Sequence, residues 1–209
     1  MPPTDRPLPR FVAEPPHELE PYGRWRDALD ERFRSACEAI EDFASLGEPG
    51  PIAWFPERTH GGRTYVPAIA PTNGGLELYG YVSFVRDERS GEPAELVASA
   101  DFTDETAATN PGWKLDLSED VIGRWRGPGR AEGELTLVWG TPLVPGGVAA
   151  TAELDGETLD QCALVQSDRF TLVALDAVTG FGDDLYLEVK LWGRRGELLA
   201  VESLYVKDE

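Results

Sequence analysis

The chain has 209 residues, is 41% hydrophobic, and carries 38 Asp plus Glu against 19 Lys plus Arg, a net charge of −19. Such a length supports one well-buried core and is short for two ordinary domains. The charge repels phosphate backbones and anionic lipid, and no stretch reaches the roughly 18 apolar residues that cross a bilayer, so neither nucleic acid nor a membrane is an expected partner.

Residues 1–21 carry prolines at positions 2, 3, 7, 9, 15, 16 and 21. Proline lacks the amide donor that helix and sheet ladders need, which predicts an extended arm or tail. No secretory apolar core is found in it, and a cytoplasmic protein is the expectation. From residue 24 to residue 46 the texture changes: Trp25, Leu29, Phe33, Ala36, Ile40 and Phe43 recur at spacings of three and four between charged residues. That period predicts one amphipathic helix of about six turns, with Gly47 as its stop and Pro49 beyond.

After Pro51 the chain reads as strand and turn. Predicted strands are 52–55, 64–70, 76–86, 94–103, 113–117, 133–139, 148–154, 157–166, 169–178, 185–192 and 198–206, while 118–123 reads equally as strand or as the start of a helical turn. Asp155-Gly156 is the strongest hairpin signal, because both central residues of a type I′ turn need positive φ. Gly193 to Gly196 and Asn73-Gly74-Gly75 are further turns, and together they imply a meander of sequential neighbours. The expected fold is all-β and mainly antiparallel, a barrel or two-layer sandwich of about 9–11 strands with the helix packed on it. Residues 22–209 form its single β-rich domain. Cys37 falls on the helix stripe and Cys162 in a strand, which predicts buried reduced thiols and no disulfide.

One long-range pattern stands out. Leu78, Tyr79, Val82, Gly91, Glu92, Val97, Ser99, Asp104 and Glu105 are echoed by Leu185, Tyr186, Val189, Gly196, Glu197, Val201, Ser203, Asp208 and Glu209. Arg63 to Ala68 corresponds loosely to Arg169 to Ala174. The echo reads as a three-strand unit used twice, over 63–105 and 169–209, in related places of one sheet system.

Chemistry-bearing motifs are sparse. Two His and two Cys, widely separated, build no zinc site, and Asp101, Asp104 and Glu105 lack calcium-loop spacing, so no metal is expected. A nucleophile elbow, a phosphate loop and a dinucleotide fingerprint are all missing, and no cofactor is expected. Candidate catalytic groups reduce to Glu57 and His60 in a polar turn and Glu202 as an inward carboxylate. Candidate ligand contacts are Trp54, Arg58, Tyr79, Tyr81, Trp125, Trp139, Tyr186 and Trp192. With Leu78, Val82 and Phe84 on one side of their strand, Tyr79 and Tyr81 share the other with Glu77 and Ser83. Such an aromatic face can line a pocket, form an interface, or be ordinary packing beneath the helix.

Two functions follow as expectations. One is a β-barrel or sandwich that binds an apolar or aromatic small molecule, with a cofactor-free cyclase or isomerase as its catalytic form. The other is an interaction or self-assembly module, a homo-oligomer for instance, using the aromatic face and the apolar strand 198–206 at a sheet edge.

Overall fold

The computed structural model describes residues 23–87, 89–126, 132–164, 168–179 and 186–204. The proline-rich stretch 1–21, the end of the glycine-rich run 123–129, the ends of the predicted strands 157–166, 185–192 and 198–206, and the echo residues Leu185, Asp208 and Glu209 lie outside them. Helix α1, Gly23–Glu38, is followed by a short 3₁₀ turn at Phe43–Ser45. Twelve strands then follow: β1 Ala53–Trp54, β2 Arg58–His60, β3 Arg63–Pro71, β4 Glu77–Arg86, β5 Pro93–Thr103, β6 Leu115–Arg126, β7 Glu132–Pro142, β8 Gly147–Leu154, β9 Glu157–Ala163, β10 Phe170–Thr179, β11 Leu187–Gly193 and β12 Leu198–Leu204.

Among the described residues all strand pairs are antiparallel, and they form three sheets and no closed barrel. Sheet I has the order β1-β3-β4-β5 with β2 also on β3; sheet II is β10-β7-β6; sheet III is β12-β11-β8-β9. The layers stack because alternate residues of each strand point to opposite faces. Leu29, Phe33 and Cys37 of α1 pack on Leu78, Val82 and Phe84 of β4 with Val66 and Ala68 of β3. On the other face of sheet I, Tyr65, Tyr79 and Tyr81 meet Leu137 and Trp139 of β7. Sheet II then turns Val138, Phe170 and Leu172 toward Ala150, Leu187, Val189 and Leu191 of sheet III. The order is therefore helix, sheet I, sheet II, sheet III.

The helix stops eight residues short of its expected end. Ala39 and Ile40 donate to the carbonyls of Ala36 and Cys37, which tightens the last turn, and Asp42 adopts φ 56°. An aspartate tolerates that left-handed conformation better than most residues and breaks the helix. Ile40 and Phe43 still reach the core under α1, so the apolar stripe continues although the helix does not. Residues 118–123 resolve as strand, since Ser118, Asp120 and Val121 pair with Trp139, Leu137 and Thr136.

Asp155 and Gly156 take φ 49° and 77° between Leu154 and Glu157, the two-residue hairpin that the sequence predicts. Gly80 answers to close approach instead: a Cβ there would stand 2.1 Å from the Ser99 carbonyl oxygen of β5. Two expectations fail on pairing. The chain is not a simple meander, because β10 crosses back to β7 and β11 pairs with β8. The echo likewise reduces to two hairpins, β4-β5 in sheet I and β11-β12 in sheet III, for β3 pairs with β4 while β10 is in a different sheet from β11. Cys37 and Cys162 are buried and unbridged.

A carboxylate at the edge of the stack joins all three sheets. Asp160 of β9 accepts the Val173 N–H of β10 at 2.9 Å and the Arg58 Nε of β2 at 3.1 Å. Arg58 Nη2 donates to the other Asp160 oxygen and to the Gln161 carbonyl at 2.7 Å. Nearby, Arg169 donates to the Trp54 carbonyl at 2.7 Å and stacks 5.3 Å over Phe55. The Arg58 and Asp160 side chains are only 17% and 18% exposed, so truncating either strands a mostly buried charge. Asp160→Ala should cost about 2–4 kcal/mol in urea denaturation, and Arg58→Lys should recover little of an Arg58→Ala loss because the paired geometry needs a guanidinium. Full rescue by lysine would show that the contact is a simple charge pair.

Candidate functional site

The layer between sheets I and II is where polar chemistry collects. On sheet I it is lined by Glu77, Tyr79 and Tyr81 of β4, and register places Asp101 beside Tyr79 and Ser99 beside Tyr81 on β5. On sheet II, Trp139 of β7 is flanked cross-strand by Thr171 of β10 and Ser118 of β6. Asp116 and Asp120 are two residues on either side of Ser118 and share its face. Ser99 Oγ donates to Asp120 Oδ2 at 2.7 Å, which ties the outer strands of the two sheets together across the opening. The Tyr79 and Trp139 rings are 6.3 Å apart, and Tyr81 stands edge-on to Tyr65 at 5.6 Å.

Burial sets the electrostatics of this cleft. Removal from water, and then the neighbouring Asp116, push the Glu77 carboxyl up to about 7, and burial raises Asp116 as well. Asp120 is raised by burial and slightly by Asp101, against the hydrogen bond from Ser99 and the Val121 amide. Tyr79 is raised by burial and by Asp101, Asp120 and Glu119. Tyr81 goes up to about 12 through burial, Asp120 and Tyr65, opposed by Arg63. Near neutrality this layer thus holds a half-protonated glutamic acid beside two aspartates whose burial favours the proton, and two protonated phenols. Neutral carboxyl donors, anionic acceptors and aromatic faces stand together, a set able to bind a polar organic molecule or move a proton on it.

Of the residues singled out in the sequence, Tyr79, Tyr81 and Trp139 meet here; the others do not. Trp54 is buried under α1 and donates its indole N–H to Asp30 at 2.9 Å. Arg58 is held by Asp160. Glu57 is bound by Arg86 at 2.7 Å, and His60 lies exposed at the β2 hairpin, so they form no acid/base pair in a pocket. Glu202 is exposed on β12, on the same face as Ala200 and Leu204 and cross-strand from Val189. Tyr186 is exposed, and Trp125 is half-buried near the far end of β6. Trp192 donates to Thr151 Oγ1 at 2.8 Å on the outer face of sheet III. There Lys190 is buried between Glu153 and Glu188, at 2.6 and 2.7 Å; burial alone would lower its pKa, but these hydrogen bonds outweigh it and hold it above the ordinary lysine value.

Sequence reasoning missed Asp116 and Asp120, and weighed Asp101 only as a calcium ligand. The alternation Asp116, Ser118, Asp120 was the available signal, and it becomes readable once 115–126 is taken as one strand. Concavities are found elsewhere in the molecule. A cavity of about 110 Å³ lies under α1 between Phe33, Cys37, Ile52 and Leu78. Open grooves of about 430 and 310 Å³ run along β12 beside Trp113 and between α1 and β5. Among the described residues no cluster of three or more His, Cys, Asp or Glu is placed to hold a metal ion, and no helix is long and apolar enough to cross a membrane.

Comparison with known proteins gives no lead: no family model, curated protein or solved structure matches the chain.

The Glu77 shift carries a stability consequence with a definite sign. The folded chain holds this proton more tightly than the unfolded chain, so the Glu77 contribution to stability is flat below about pH 4.5, falls as pH rises toward 7, and stays low above it. Glu77→Gln should therefore stabilise the protein at pH 8 by on the order of 1 kcal/mol, after screening by solvent, and change it little at pH 4. Urea denaturation of both proteins at the two pH values checks this. A variant weaker at pH 8 would show instead that the anion makes a favourable contact.

Proposed function

We propose that the chain binds a small molecule in the cleft between sheets I and II. The observation that carries this reading is the pair Glu77 and Asp116, half-buried with no hydrogen bond or ion pair to any described residue, next to Tyr79 and Trp139. A pair of acids raised by burial, with Asp116 also repelling Glu77, detracts from stability. Such arrangements concentrate at sites of binding and catalysis. The apolar ligand expected inside a barrel gives way to a polar one at a seam, since there is no closed barrel and the cavity under α1 is far below the roughly 300 Å³ at which ligand pockets begin. Proton transfer by Glu77, in a cyclase or isomerase reaction, would be its catalytic extension. Two buried free thiols suit a reducing compartment and support a cytoplasmic location. A net charge of −19 argues against polyanionic partners.

The test is native mass spectrometry of the purified protein, followed by a thermal-shift screen of polar metabolite-sized compounds on the wild type, Glu77→Gln and Asp116→Asn. A ligand at a hundred times its Kd stabilises the folded state by about 2.7 kcal/mol. The expected result is a retained or screened compound that stabilises the wild type and loses at least tenfold in affinity in both variants. Compounds that stabilise all three proteins equally would place binding elsewhere and overturn the reading.

One observation favours self-assembly as a second reading. Strand β12 is the edge of sheet III, with Leu198 and Val201 49% and 44% exposed beside the groove at Trp113. An apolar edge strand pairs readily with a second copy. Light scattering after gel filtration should then find a dimer that Val201→Lys returns to monomer. A wild type that stays monomeric at high concentration would remove this reading.

A further inference from the structure

Taking the cleft as a ligand site, we propose that its ligand is a small hydroxylated amine of the amino-sugar or amino-alcohol class. Its ammonium group is held by the carboxylates of β4, β5 and β6, and one of its oxygens accepts the indole N–H of Trp139.

The charge of the cleft selects the cation. Asp101 of β5, cross-strand from Tyr79, acts on it together with Asp120 and Glu119 of β6, while Asp116 of β6 acts on Glu77, two residues along β4 from Tyr79. Among the described residues the one cation acting on its tyrosines is Arg63, at the Tyr81 end, and it is engaged by Ser83 and by the Glu95 carbonyl at 3.0 Å. A field of one sign in a partly desolvated cleft concentrates ligands of the other sign, and the net charge of −19 adds to it. Tyr79 and Tyr81 offer ring faces to the carbons next to an ammonium group.

Geometry argues against an inorganic ion. Residues two apart on a strand are about 6.5–7 Å apart, so Asp116 and Asp120 span roughly 13 Å along β6. A single metal ion needs its oxygens within about 2.0–2.6 Å, and the described residues offer no cluster of that kind. Carboxylates spread over this length suit a molecule that lies along them.

An independent group asks for an oxygen. Trp139 is 0% exposed, and its indole N–H has no hydrogen-bond partner among the described residues. Its ring lies against Tyr79 and cross-strand from Ser118, on the face that carries Asp116 and Asp120. Thr171, its other cross-strand neighbour, is also 0% exposed with an unpaired hydroxyl. A buried donor left unpaired costs about 1–3 kcal/mol, which an acceptor on the ligand would recover. A simple polyamine brings only donors to this position. A hydroxylated amine brings both charges and acceptors.

The probes are D-glucosamine, neutral D-glucose and spermidine, each titrated into the ¹⁵N-labelled full chain while the indole N–H resonances are followed, that of Trp139 being assigned with Trp139→Phe. Saturable binding of glucosamine should shift the Trp139 signal. Glucose and spermidine should bind at least tenfold more weakly, for want of the charge and of the oxygen respectively. Glu77→Gln, Asp116→Asn and Trp139→Phe should each weaken glucosamine at least tenfold, whereas Glu57→Gln, outside the cleft, should leave it unchanged. Glucose or spermidine binding as tightly as glucosamine would overturn the ligand class. So would the absence of binding by all three probes while a compound from the broader screen binds in a Glu77-dependent way, and in that case the cleft itself stands. If neither the probes nor the screen yields binding that depends on Glu77 and Asp116, both proposals fall together.

Discussion

Three sheets stacked on one another need something to hold their edges in register, and in this protein that is the carboxylate of Asp160. It lies in β9 of sheet III, accepts a backbone N–H from β10 of sheet II, and is gripped by Arg58 from β2 of sheet I. The N–H of an edge strand would otherwise need water or another chain, and here it is satisfied from within the molecule. A guanidinium presented to both carboxylate oxygens fixes orientation as well as distance. Arg169 adds a second tie from the start of β10 to β1. Hydrophobic burial drives the layers together, but it is not directional. These contacts set how the layers lie.

The clamp has an opposite number. Where β2, β9 and β10 meet, the sheets are pinned by a bidentate ion pair; where β5 and β6 face each other, the closest tie is the Ser99–Asp120 hydrogen bond. The first edge is nearly dry and the second is lined by acids. Sheet I and sheet II thus enclose a seam that is aromatic at its centre, around Tyr65, Tyr79 and Trp139, and anionic at one margin. The asymmetry follows from where the charged residues fall on each strand, because the backbone ladders on the two sides are alike.

Most strands were legible to within a few residues, because period-two alternation and turn residues such as Asp155-Gly156 act locally, but β2 read as part of a polar turn and β6 was legible only at its start. Helix α1 was legible in its face and misread in its length: the stripe continues through Ile40 and Phe43, and only the left-handed turn at Asp42 reveals that the backbone does not. Sheet assignment was not legible, since pairing of β10 with β7 depends on contacts that skip the two strands β8 and β9 lying between them in the chain. The same limit governed the site. Tyr79 and Tyr81 could be placed on one face of β4 from alternation alone, but the surface covering that face, and with it Asp116 and Asp120, is set by how sheet II docks. Single aromatic and charged residues such as Trp54, Arg58 and Glu57 drew attention by type and proved to be held in structural contacts.

Comparison of two buried charge clusters sharpens the case for the cleft. On the outer face of sheet III, Lys190, Glu153, Glu188, Thr151 and Trp192 form a closed chain of hydrogen bonds in which the buried cation faces its anions, and the lysine is held above its ordinary pKa. In the cleft, Glu77 and Asp116 face each other without a cation, and Glu77 is pushed up to about 7. The first arrangement is what folding alone favours, since each buried charge has its partner. The second raises the free energy of the folded chain. One chain thus satisfies its acids fully on one face and leaves them unpaired in another place, beside an indole donor that is also unpaired. A ligand that supplies a positive charge and an acceptor removes both costs at once.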